Sequence, residues 1–268
     1  MIQYLKESLL KGSQLRDNLW LISIKDFGNQ WMYFERKKFW KISGKVIIHL
    51  GKFGRLLKSK FWDSKNVLVT GHTGFKGSWM CQVLSRLNSN ISGISLKTKI
   101  SRPNLFDLLE LRKKLNHHKG DLANKNTCFE VVHETKPDII IHMAAQAQVK
   151  KSYINPVETF RTNVLGTLNI LEAARTSNSI KAILVVTSDK CYKNNETKHA
   201  YEEDDKLGGN DPYSSSKACA EHIARSFYKS FFMENNIGLG TARSGNVVGG
   251  GDWSSDRLIP DIVRSWIK

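Results

Sequence analysis

At 268 residues, 40% hydrophobic and 25% charged, the chain has the make-up of a folded protein with one large domain and an appendage. Its formal charge of +16 suits polyanions, yet 13 of the 41 Lys/Arg and only 4 of the 25 Asp/Glu fall in residues 1–60, so half of the excess belongs to that segment. No apolar run approaches the ~20 residues of a membrane span, and Lys6 and Glu7 interrupt the early stretch that a secretory signal would use. Cys81, Cys128, Cys191 and Cys219 form no C-x-x-C pair, so neither a disulfide framework nor a metal site is indicated, and a reducing cytoplasm is expected.

In chain order, residues 1–58 are expected to be a basic N-terminal extension. The stretch "ERKKFWKISGKVIIHLGKFGRLLKSKFW" mixes aromatics with lysines. Such a segment can lie on an anionic membrane or on nucleic acid, or be a tail with no specific partner; the tail is the reading adopted, without specific nucleic acid. From residue 59 onward, β-rich runs alternate with helical patterns, as in βαβ units around a parallel sheet. Strands are expected at "NVLVT" (66–70), "ISGISL" (91–96), "DIIIHM" (138–143), "KAILVVT" (181–187) and "IGLGTAR" (237–243), their apolar continuity arguing for burial on both faces. Helices are expected at 77–87, 126–135, 156–175 and 213–232, with Pro156 and Glu158 marking a helix start. The fold class is therefore α/β, a doubly wound, Rossmann-like parallel sheet.

Directly after the first strand comes "TGHTGFKGSW", with Gly71, Gly74 and Gly77. Glycines between a strand and a helix let backbone approach a pyrophosphate and aim helix N-terminal amides at it. The acid that usually binds an adenosine ribose ~20 residues later is replaced by Lys97, which is either idle or suited to a 2′-phosphate. Asp121 in "KGDLAN" is placed either to reach an adenine or to cap a helix. Tyr213 and Lys217 form Y-x-x-x-K on one helical face; an ammonium beside the phenol is expected to lower its pKa and make it a usable base. Ser188, Asp189 and Lys190 end the fourth expected strand, where open α/β sheets bind their ligands.

Together these motifs, with "HMAAQ", "NPVETFRTNVLGT", "VVTSDKCY", "LGGNDPYSSSK" and "ARSGNVVGGGDWSSDRLIPDIV", resemble the extended short-chain dehydrogenase/reductases, and within them the CDP-glucose 4,6-dehydratases, over residues 59–268. The resemblance implies an NAD cofactor, with NADP left open by Lys97. It places Gly71, Thr73, Gly74, Phe75, Lys76, Gly77, Asp121, Leu122, Ala144, Ala145, Gln146, Tyr213 and Lys217 around that cofactor. Ser188, Asp189, Lys190, Tyr213 and Lys217 take the catalytic roles, and Asn246 and Arg257 hold the diphosphate of a CDP-glucose substrate. Arg257 is equally compatible with a surface position.

In the implied reaction Tyr213, helped by Ser188 and Lys217, removes the 4-hydroxyl proton of the sugar as carbon 4 is oxidised. Asp189 and Lys190 then eliminate water across carbons 5 and 6. Acting as a base requires a neutral Lys190, so burial and nearby positive charge are expected around it. Lys150 and Lys151 stand where arginines are usual in these enzymes. The resemblance further implies a C-terminal substrate portion beyond Lys268, so the domain is expected to be truncated, either as a fragment or as an inactive copy. The helices at 156–176 and 213–232 resemble those that pair in homodimers. Competing readings are a nucleotide-sugar 4-epimerase, a non-catalytic dinucleotide-binding module, and a polyanion-binding protein led by residues 1–60.

Overall fold

Five of the expected strands form where the apolar runs lie. The computed structural model describes residues 60–96, 103–194, 196 and 200–266; the expectations for residues 1–58 and for Lys97 lie outside them. The strands are β1 (Asn66–Thr70), β2 (Asn90–Ser95), β4 (Ile139–His142), β5 (Ala182–Val186) and β6 (Gly238–Ala242). A sixth, β3 (Asn116–Lys119), was not expected. Its sequence, Asn-His-His-Lys, has no apolar residue, and it forms by pairing at the sheet edge, from Ser92 opposite Asn116 to Ser95 opposite Lys119.

All neighbouring strands are parallel, in the order β3-β2-β1-β4-β5-β6, the doubly wound arrangement. The order reverses between β1 and β4, which opens a crevice at their carboxyl ends. β6 is an edge strand among the described residues, and Gly238 and Thr241 are only half-buried there, so two-sided burial does not extend to it.

The period-two geometry of the strands divides the core into two layers. Leu68, Ile140, Ile183 and Val185 face α3 (Lys125–Thr135), α6 (Gly166–Arg175) and α7 (Pro212–Phe227), meeting Val131, Val132, Ile170, Leu171 and Ala224. Val67, Val69, Ile141, Leu184 and Val186 face the other way, toward Cys81 and Leu84 of α1 (Phe75–Arg86) and Phe106 of the short α2 (Leu105–Leu108). Leu68, Ile140 and Ile183 are fully buried, each adding roughly 1.5–3 kcal/mol of transfer free energy.

The expected helix 156–175 is three pieces: α5 (Pro156–Phe160), a wide π turn (Arg161–Leu165) and α6. Pro156 opens it, with Glu158 in the first turn, as read from the sequence. α7 likewise runs into a π turn, Tyr228–Phe232. Three short helices were not expected, α2, α4 (Val149–Ile154) and α8 (Leu258–Trp266). No helix among the described residues is long and apolar enough to cross a membrane.

Candidate active site

The glycine turn is built by contact, not by composition alone. Gly71 has φ of +72°, and a Cβ there would stand 2.7 Å from the Ala144 Cα of the neighbouring strand end. A Cβ on Gly77 would stand 2.2 Å from the Gly71 carbonyl oxygen. Only glycine fits at either position, and the result is α1 starting directly against the end of β1. The helix begins at Gly74 with no side-chain cap and no acid in its first turn, which leaves its amide end open to an anion. This is a cradle of the size and polarity that a dinucleotide pyrophosphate requires.

Behind the turn lies a buried relay of neutral hydrogen bonds. Thr167 donates to the Asn163 carbonyl at 2.6 Å, so its oxygen accepts from His142 Nε2 at 3.0 Å. His142 Nδ1 then accepts from the Thr70 hydroxyl at 2.8 Å. The Thr70 oxygen takes the amides of Met143 and Ala144, each at 3.1 Å. Burial first, and the charge of Lys217 second, push His142 down to about 3, so it stays neutral and fixes the β4 end. Gln146 is held by Asn163, whose Oδ1 accepts its amide at 2.8 Å. Ala144, Ala145 and Gln146 are thus set beside Gly71 on the crevice rim, half-buried.

Across the crevice, α7 carries Tyr213 and Lys217, both on its buried face, 8% and 6% exposed. Asp211 caps this helix by accepting from the Ser214 amide at 3.0 Å, which fixes the turn that presents Tyr213. Ser188 lies close enough to the Tyr213 side chain to favour its phenolate. The expected lowering of the phenol is reversed: burial raises Tyr213 above its ordinary value, outweighing the opposing pull of Ser188 and Arg257. Lys217 instead yields, pushed down to about 7 by burial and then by Lys76, while its Nζ donates to the Val186 carbonyl at 3.3 Å.

Ser188 caps a one-turn 3₁₀ segment, Asp189–Cys191, that ends the β5 excursion. Its Oγ donates to Asp189 Oδ1 at 3.1 Å. The expected burial of Lys190 is not found: Asp189 and Lys190 are both exposed, because the short turn carries them off the buried strand. Lys76 joins this group from the first turn of α1. Burial lowers its pKa, Arg257 lowers it further, and Asp189 opposes them. Lys76 and Tyr213 each feel the charges of Asp189 and Arg257, and Lys217 feels that of Lys76, so Arg257 lies near this group rather than on a remote surface. Arg257 also pairs with Asp252 at 3.4 Å.

The other expected residues scatter around this centre. Asn246 is exposed on the loop after β6. Asp121 is not a helix cap, since Asn124 caps α3; it accepts from the Ala123 amide at 2.9 Å and pairs with Arg161 at 2.8 Å. Leu122 is buried and its carbonyl accepts from Asn169 at 2.9 Å. Lys150 pairs with Asp256 at 2.6 Å. All four cysteines are free thiols. Among the described residues no group of three His, Cys, Asp or Glu side chains is placed to hold a metal ion. Sequence reasoning missed the His142 relay and a buried Glu221–Arg243 pair beneath the turn. The polar residues that close the apolar runs "IIIH" and "GLGTAR" were the available signal for both.

A family model described as GDP-mannose 4,6 dehydratase matches residues 68–247. The curated CDP-glucose 4,6-dehydratase of Salmonella typhimurium is 45% identical over 216 residues, covering 79% of this chain and 60% of that protein. The dTDP-D-glucose 4,6-dehydratase of Dictyostelium discoideum is 29% identical over 212 residues, covering 75% and 48%. Among solved structures, dTDP-glucose 4,6-dehydratase from Bacillus anthracis in complex with NAD superposes with a TM-score of 0.63 at 27% identity, over 76% of this chain and 62% of that one. The chain thus spans between about half and three fifths of the curated relatives it matches.

Proposed function

The chain belongs to the GDP-mannose 4,6 dehydratase family, and from that membership we propose that it bears the catalytic face of a nucleotide-sugar 4,6-dehydratase that converts CDP-glucose to CDP-4-keto-6-deoxyglucose. The observation that carries the reading is the exposed Asp189–Lys190 pair at the end of β5, on a turn that packs against α7, the helix that carries Tyr213 and Lys217. Oxidation at one carbon needs only Ser188, Tyr213 and Lys217; a second acid–base pair is what an elimination adds. The choice of CDP-glucose follows the 45% identity to the Salmonella typhimurium enzyme.

The cradle of Gly71, Thr73, Gly74, Phe75, Lys76 and Gly77, with Ala144, Ala145 and Gln146 on its rim, fits a dinucleotide, and NAD is the one assigned. Bound there, it would supply the acceptor and later the donor of hydride for the sugar. Asp121 and Leu122 would lie toward its adenine, and Asn246 and Arg257 would hold the substrate diphosphate. Tyr213 takes the proton of the 4-hydroxyl, the nearby Ser188 offsetting part of the cost that burial places on the phenolate. Lys217, drawn down to about 7, favours that phenolate through its ammonium form below this pH.

Once carbon 4 is a ketone, the carbon 5 proton is acidified. Lys190 is the residue assigned to take that proton. The electron pair of the C5–H bond becomes the C5–C6 double bond as the bond from carbon 6 to its oxygen breaks. Asp189 is the residue assigned to give the departing oxygen a proton, so that it leaves as water. Lys190 returns its proton to carbon 5 when carbon 6 is reduced. Exposure of both side chains lets them reach a sugar bound in the crevice rather than the protein interior.

The same reading assigns a cytoplasmic biosynthetic enzyme and a homodimer, with Tyr153, Ile154 and Val157, which are 66–79% exposed on α4 and α5, covered by a second copy. Residues 59–268 form its cofactor domain. Incubation with CDP-glucose and NAD, followed by alkali, is expected to give the ultraviolet absorbance of an enolised 4-keto sugar. A 4-epimerase returns two hexoses and no such absorbance, and that outcome would refute the dehydratase reading.

A further inference from the structure

One buried ion pair beside the site takes no part in the steps above. Glu221 lies on α7, four residues beyond Lys217, and is 4% exposed. Its carboxylate accepts from the Thr187 hydroxyl, from Thr241 Oγ1 at 2.8 Å and from Arg243 Nη2 at 2.9 Å. The guanidinium of Arg243 lies over the Tyr192 ring, 4.7 Å from its centre, while its Nη1 donates to the Glu203 carbonyl at 2.7 Å. Tyr192 in turn stacks on Tyr201, with ring centres 4.8 Å apart.

Thr187 and Tyr192 are the residues on either side of the segment 188–191. One end of the turn that carries Asp189 and Lys190 is therefore tied to Glu221, the other to Arg243, and the two ties are joined by a salt bridge. Within the turn itself the anchors are bonds of the backbone: the Asp189 amide reaches the Ser244 carbonyl at 3.1 Å, the Lys190 amide reaches Ser188 Oγ at 3.3 Å, the Cys191 and Tyr192 amides reach the Ser188 and Asp189 carbonyls at 3.1 and 3.2 Å, and the Cys191 carbonyl accepts from the Gly208 amide at 2.8 Å. A buried ion pair is a poor stabiliser beside apolar groups of equal volume, because desolvation offsets the attraction. What it provides is direction, since each charge-assisted bond points at one partner.

We propose that Glu221 and Arg243 are positioning residues that brace the Asp189–Lys190 turn from both ends and set the geometry of water elimination, not that of cofactor binding. The brace stands on the structure alone; its catalytic consequence rests on the dehydratase reading. The test uses the full chain and the variants Thr187→Val, Thr187→Ser and Arg243→Met. Thr187→Val exchanges one hydroxyl for a methyl and leaves Glu221, Lys217 and Tyr213 in place.

Amide hydrogen exchange is read at Asp189, Lys190, Cys191 and Tyr192. Thr187→Val and Arg243→Met are expected to speed exchange there about tenfold while β1 and β4 are unchanged, and Thr187→Ser to restore it. In turnover of CDP-glucose the first two variants are expected to lose about tenfold in kcat, with KM and NAD affinity within about twofold. Unchanged exchange at the turn overturns the brace whatever the enzyme does. Faster exchange with unaltered kcat overturns the positioning role. Faster exchange in variants of a chain that never dehydrates CDP-glucose upholds the brace and overturns the dehydratase reading instead.

Discussion

Replacing Lys217 by methionine is expected to stabilise the folded chain, and to do so by an amount that depends on pH. Lys217 is 6% exposed, and burial with the neighbouring Lys76 draws it from 10.5 down to about 7. At ~1.4 kcal/mol for each pH unit, holding that ammonium in the folded state costs about 5 kcal/mol below pH 7. The Val186 carbonyl that it bonds at 3.3 Å loses about 1 kcal/mol of hydrogen bonding in the variant.

The sign follows from proton counts. Between pH 7 and the unfolded value near 10.5 the unfolded chain keeps the lysine proton that the folded chain has lost, so wild-type stability rises with pH across that window. The thioether side chain of the variant does not titrate and has no such dependence. The advantage of Lys217→Met is therefore largest at pH 6, about 4 kcal/mol, and shrinks by about that much by pH 10. Urea unfolding of both proteins at pH 6, 8 and 10 measures it. Parallel stability curves would show that Lys217 is not held in a desolvated pocket, and the argument for its lowered pKa would fail.

Gly77→Ala is expected to lower stability by about 3 kcal/mol and NAD affinity by more than about tenfold, since its Cβ would meet two backbone atoms, the Gly71 carbonyl oxygen at 2.2 Å and His72 Cα at 2.7 Å; urea unfolding and a cofactor titration check it. His72 and His142 are drawn to about 4 and about 3, so below 6.5 the unfolded chain binds protons that the folded chain does not, and stability falls with acid. The loss between pH 7 and pH 5 is about 4 kcal/mol for the pair, and His142→Gln is expected to flatten about half of it. Lys190→Ala is expected to cut solvent exchange at carbon 5 of the sugar by at least about a hundredfold while sparing NAD binding; deuterium wash-in followed by magnetic resonance checks it, and retained exchange would remove Lys190 from its role.

The central strands were legible because burial on both faces writes itself as continuous apolar runs, and β1, β4 and β5 are buried along nearly their whole length. β3 was not, because an edge strand made of Asn, His, His and Lys owes its form to the β2 backbone beside it. Glycine spacing located the cradle, since the close approaches at Gly71 and Gly77 admit no other residue. The electrostatics were harder to foresee. Spacing put Lys217 beside Tyr213, but only the packing of α7 against β5 reveals that burial dominates both, raising the phenol and depressing the amine. The same limit explains Lys190, whose exposure is decided by one turn of 3₁₀ helix rather than by the apolar strand before it. Glu221 and Arg243 stand 22 positions apart and belong to no motif, and only the fold brings them within 2.9 Å.

The most direct test of the account is incubation of the purified chain with CDP-glucose and NAD in deuterated water, followed by mass spectrometry of the nucleotide sugar. The account predicts a product lighter by one water and carrying one solvent deuteron, at carbon 5. A sugar of unchanged composition with no deuterium, in protein that binds NAD, would contradict it.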